Sequence, residues 1–101
     1  MTWLANEVTG TAETEREQER LLADLNTAVD FLEKEHTERN TQAASLIASI
    51  ANDGTRLRCL GFPGGLRTRY LLFQALRQPS HEMMARILKN TLTEITQWMS
   101  H

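Results

Sequence analysis

The sequence predicts an all-α protein, and three observations carry that expectation. Residues 24–47, DLNTAVDFLEKEHTERNTQAASLI, run without a glycine or a proline. Leu22, Leu25, Val29, Leu32, His36, Arg39, Ala43, Leu46 and Ile50 follow alternating steps of three and four, the repeat of a helical seam. Ala85, Leu88, Leu92, Ile95 and Met99 take up the same spacing near the other end, widened by Met84, Ile87 and Trp98. At 101 residues the chain is read as a single helical domain spanning 1–101, with a core near the small end of what sustains itself.

The elements follow in order. Residues 1–9 form a short lead with Trp3, Leu4 and Val8 available for docking. Thr11 or Thr14 is placed to start the first helix, since Thr14-x-x-Glu17 fits a capping box. Glu13, Glu15, Glu17 and Glu19 follow where the helix dipole favours negative charge. The seam keeps its phase through the polar middle, which predicts one long helix from about 11 to 52, roughly 60 Å at 1.5 Å per residue. A stripe that long exceeds what the next 50 or so residues can cover, so a second copy and a dimeric bundle with a coiled-coil-like seam are expected. His36 and Arg39 then either act as polar seam residues that set register or snorkel to water at the edge of a looser core.

Asn52-Asp53-Gly54-Thr55 ends that helix, with Gly54 as a positive-φ stop. Residues 56–65, RLRCLGFPGG, alternate briefly, but Gly61, Pro63, Gly64 and Gly65 favour a loop. A second helix is expected from about Leu66 to Gln78, because Pro79 disfavours helical geometry just before itself. Ser80 caps a third helix with Glu82 in its first turn.

Composition narrows the setting. One cysteine, Cys59, allows no internal disulfide and cannot make a metal site alone, which suits a reduced, cytoplasmic protein. No apolar run approaches the roughly 20 residues of a membrane span, and the opening MTWLANEV has no signal-peptide pattern. The net charge of −2 hides a division. Residues 1–53 hold 11 acidic and 4 basic side chains, and residues 54–101 hold 2 acidic and 7 basic ones. From Gly54 to His81 there is no acid, yet Arg56, Arg58, Arg67, Arg69 and Arg77 all lie there. Either the halves screen each other by packing, or the arginines form a local surface for a polyanion.

Catalysis is not expected. His36, His81 and His101 are scattered, Cys59 has no sequence-evident base, and no histidine pair stands at ligand spacing. Glu33, Glu35 and Glu38 around His36 read as solvated helix-face charge. GFPGG, just before Arg67 and Arg69, invites a phosphate-cradle reading. It lacks the lysine and strand of a phosphate-binding loop, and an interhelix loop is the plainer reading. No metal or cofactor is expected. Opposite the seam, Arg20, Thr27, Lys34, Thr41 and Ala48 recur at seven-residue steps without an acid. Small polar residues punctuated by cations suit a helix laid along a sugar–phosphate backbone, or any exposed helix face.

Asp24-Leu25, then Leu32, then Ser45-Leu46-Ile47, with Phe31 and His36 between, resembles the central-helix pattern of the small RNA-silencing suppressors of insect nodaviruses. The resemblance covers 24 residues. It implies a homodimeric helical bundle that lies along double-stranded RNA without reading its sequence and hides it from the host's silencing machinery, and it leaves open whether a host silencing protein is bound as well. Such binding uses shape, phosphates and 2′-hydroxyls across the shallow minor groove. It also implies that Lys34 is a basic RNA contact and that Thr41 stands where the family carries an arginine. Arg56 and Arg58 would then replace that cation, with Arg67 and Arg69 behind them. The alternative is an all-α protein-interaction module, a small chaperone or regulator, whose arginine-rich half grips an acidic protein.

Overall fold

The ten residues between Leu32 and Ala43 contain no apolar side chain. Nearly three turns of helix there would have nothing to bury, and the chain uses that stretch to reverse direction. The computed structural model describes residues 11–34 and 37–99. In it the expected long helix is two helices, α1 at Thr11–Glu33 and α2 at Thr37–Ala51, packed against each other. The longest dimension of the described molecule is 46 Å, shorter than the roughly 60 Å that a continuous helix would need. Phase continuity misled because Leu32 and Ala43 are eleven residues apart, about three turns, so each stripe keeps register without a helix between them.

After α2, Asp53 caps a one-turn helix, Gly54–Leu57, accepting from the Arg56 backbone N–H at 3.0 Å. A 3₁₀ turn follows at Arg58–Leu60, then α3 at Gly61–Leu76 and α4 at His81–Met99. Gly54 is therefore not a positive-φ stop; among the described residues Gly61 alone takes φ > 0, at 78°. The expected loop over 56–65 is replaced by these short turns, and α3 begins at Gly61 rather than Leu66. Thr14 lies inside α1, so the capping-box reading fails there. Ser80 does cap α4: its Oγ accepts from the Met83 N–H at 3.1 Å and its carbonyl from Met84 at 3.0 Å. The lead 1–9 and His36 lie outside the described residues.

The four helices form a ring in chain order: α1 packs on α2 and α4, and α3 packs on α2 and α4. Inter-element contacts fix the directions. Gln18 on α1 reaches Cys59 after α2, Glu33 at the far end of α1 pairs with Lys89, and Asn40 meets His81. Neighbours run antiparallel, as in an up-down bundle with short connections, and α1 and α3 sit diagonally opposite.

The stripes meet inside a single chain. Leu21, Leu25, Ala28, Val29 and Leu32 of α1 close on Ala43, Ile47, Ile50 and Ala51 of α2, and Leu72, Ala75, Leu88 and Ile95 complete the core. Leu21 and Ile47 are fully buried, whereas their neighbours Leu22 and Leu46, expected in the seam, are only partly buried. Burial of Leu25, Val29, Ala43 and Ile50 within one chain removes the reason for expecting a second copy along that seam. Arg39 is exposed and lies 5.5 Å from the centre of the Phe31 ring, so it snorkels.

Gly64 and Gly65 explain GFPGG. A Cβ on Gly65 would stand 2.7 Å from the Leu57 carbonyl oxygen, and one on Gly64 3.2 Å from the Trp98 ring. The glycines let the first turn of α3 press onto neighbouring backbone and indole. That is a packing role.

Candidate functional site

The arginines of the acid-free segment are read either as screened by packing or as a surface for a polyanion, and the bundle commits several of them internally. Arg56, with a side chain only 14% exposed, pairs with Asp24 of α1 through Nη2, and its Nε is buried without a partner. Arg69 donates from Nε to the Ala51 carbonyl at 3.0 Å, satisfying an open acceptor at the C-terminus of α2, where the dipole favours a cation. Arg67 pairs with Glu94 at 3.1 Å and lies 5.6 Å from the Tyr70 ring centre. The Glu94 hydrogen bond raises the Arg67 pKa further above its ordinary value. Arg58 and Arg77 are exposed and make no ion pair among the described residues.

Lys34 and Thr41 are exposed on either side of the reversal, and Lys34 pairs with Asp30 at 3.0 Å. They lie at the opposite end of the bundle from Arg56 and Arg58. The row Arg20, Thr27, Lys34, Thr41 and Ala48 is divided between antiparallel helices, so it forms no straight track. Asp24-Leu25 and Leu32 fall on α1, whereas Ser45-Leu46-Ile47 falls on α2. The residues that carry the resemblance thus stand on two helices rather than one.

The two charge domains are stitched together by Asp24–Arg56 and by Glu33–Lys89 at 2.8 Å. This is the screening arrangement, although exposed pairs such as the second contribute little stability. An open cleft of about 840 Å³ lies beside the second pair, lined by Leu32, Glu33, Asn40, His81, Arg86 and Lys89. Within it, Asn40 Nδ2 and His81 Nδ1 are 3.0 Å apart. The cleft mixes both charge signs and has no group of three or more metal-type ligands among the described residues.

A different surface stands out on α3. Its inward stripe is Gly64, Gly65, Thr68, Leu72 and Ala75. Phe62, Leu66, Tyr70 and Phe73 recur at steps of four, four and three on the opposite side, and they are 77%, 53%, 54% and 36% exposed. Arg77 continues that row one turn beyond Phe73, with helical φ and ψ of −88° and −5°. Three aromatic rings and a leucine in one row expose about 400 Å² of apolar surface, at 150–250 Å² for each full ring. Apolar patches of a few hundred Å² are the size that marks interaction sites on a single chain.

The signal for this row was present in the sequence. GLRTRYLLFQAL carries apolar residues around its whole circumference, and such a helix is either central to a larger protein or covered on two sides. In a ring of four, only one of those sides can be the core.

No protein-family model, curated protein or solved structure matches the chain. No helix among the described residues is long and apolar enough to cross a membrane.

Proposed function

We propose that this chain is a protein-interaction module that binds rather than catalyses, and that the outer face of α3 is its docking surface. The observation that carries the reading is the exposed row Phe62, Leu66, Tyr70 and Phe73, directly opposite the core stripe of the same helix. Burying it is favourable at about 25 cal/mol per Å², and aromatic residues are the type enriched at interface cores. The flanking arginines favour an acidic protein over a basic one.

Double-stranded RNA is the second reading, with the exposed Arg58 and Arg77 of the acid-free segment as its support. In that reading the chain is a suppressor acting as a homodimer in the host cytoplasm. Arg58 and Arg77 take the leading role, since Arg56 and Arg69 are engaged within the fold.

Two measurements separate the readings. A photo-crosslinking amino acid at position 66 should give a discrete protein adduct in cells, and the same probe at position 26 on α1 should give none. Titration against an RNA duplex of about 25 base pairs should show no binding at low salt if the first reading holds. Duplex binding that falls steeply with salt and weakens on Arg58→Ala and Arg77→Ala would instead establish the second.

A further inference from the structure

We infer that the occupant of the outer face of α3 is a single amphipathic helix with acidic residues at both ends, supplied by another protein. The inference rests on the interaction reading and deepens it. The row lies on one helix and spans the sixteen residues from Phe62 to Arg77, about 22 Å over its fifteen steps of 1.5 Å. That is the footprint of one helix of similar length, whose apolar side chains at steps of three and four would interleave with Phe62, Leu66, Tyr70 and Phe73.

Charge selects the class. α3 and the turns on either side of it carry no acid from Gly54 to His81. Among the arginines of this segment, Arg56, Arg67 and Arg69 already have internal partners. Arg58 and Arg77 do not have one among the described residues. Arg77 extends the apolar row at one end, and Arg58 precedes Phe62 by four residues, in the 3₁₀ turn on the far side of Gly61. An apolar row that ends on Arg77, with the second unpaired cation of the segment, Arg58, in the turn before α3, fits a helix with an apolar centre and acidic ends. A second copy fits less well. Paired through α3, it would set one acid-free arginine segment against another. Paired head to tail, it would offer α1, whose exposed residues are acidic, basic and small polar side chains with two alanines, Arg16 and Arg20 among them, and include no large apolar one.

The test uses the full chain and three synthetic helical peptides of about 18 residues. The first has apolar residues at the matching spacing and glutamates at both ends. The second has lysines in place of the glutamates, and the third has serines at the apolar positions. Fluorescence anisotropy should show binding of the first peptide alone. Leu66→Asp should weaken it at least about tenfold, the scale of an interface hot spot. The Arg58→Glu/Arg77→Glu variant should prefer the lysine peptide, with circular dichroism confirming that both variants fold. Equal binding of the glutamate and lysine peptides, or binding of neither, overturns the inference. If position 66 still crosslinks to a protein, the interaction reading survives that loss. Sedimentation showing a wild-type dimer that Leu66→Asp dissociates assigns the face to a second copy and also overturns the inference.

Discussion

Helices α1 and α3 occupy opposite corners of the same bundle and solve different problems. α1 is one-sided: Leu21, Leu25, Ala28 and Leu32 point inward, while its exposed surface is charged and polar, with Arg16 and Arg20 among its acids. α3 is two-sided: Thr68, Leu72 and Ala75 serve the core, while Phe62, Leu66, Tyr70 and Phe73 face out. An apolar side chain therefore has a different meaning on each. On α1 it reports folding. On α3 its position around the helix decides whether it reports folding or recognition.

The strongest way to break that comparison is to truncate one leucine from each side of α3. Leu72→Ala, at a site with no exposure, should cost about 2–5 kcal/mol in urea unfolding. Leu66→Ala should stay within about 0.5 kcal/mol. Similar losses at both positions would mean that the outer row is part of the fold. Gly65→Ala comes next, because its Cβ would meet the Leu57 carbonyl at 2.7 Å. Backbone cannot swing away as a side chain can, and about 1–3 kcal/mol is expected.

The cations sharpen the comparison further. Arg56→Ala strands the half-buried Asp24 carboxylate and should cost about 1–3 kcal/mol. Arg58→Ala should be neutral to stability and act on binding alone. Removing the α4 cap by Ser80→Ala should cost about 1 kcal/mol, which chemical denaturation can resolve.

The last effect is a slope with pH. Burial, with a smaller push from Glu17, raises the Cys59 thiol to about 11 against an ordinary 9.0, and Arg56 partly opposes this. The folded state thus holds its proton to higher pH than the unfolded chain does. The contribution is complete below pH 9 and is lost as pH rises toward 11. Stability should decline across that window in the wild-type chain and decline less in Cys59→Ala. An identical slope in both would remove the thiol as the cause.

The legible parts of this protein were those where neighbouring residues decide the outcome. Ser80 before Glu82, the stop ahead of Pro79 and the spacing from Ala85 to Met99 marked out α4 and its start, because caps and stripes act within a turn or two. The reversal between α1 and α2 was not legible from phase, since a stripe of three and four continues whether the helix runs on or folds back. The lack of any apolar residue from 33 to 42 was the better signal. GFPGG read as a loop because glycine and proline favour turns; its place in the first turn of α3 depends on Leu57 and Trp98, which only packing brings there.

For the candidate site the division is similar. Composition alone established that residues 54–81 carry arginines without acids, and the apolar pattern alone established an all-α chain. Which arginines remain available was decided by tertiary structure, because Asp24, Glu94 and the Ala51 carbonyl come from other helices. The outward row on α3 has the same origin. A helix apolar on two sides offers either one to the core, and the choice falls to the side where glycine and small residues let the neighbouring helices come close.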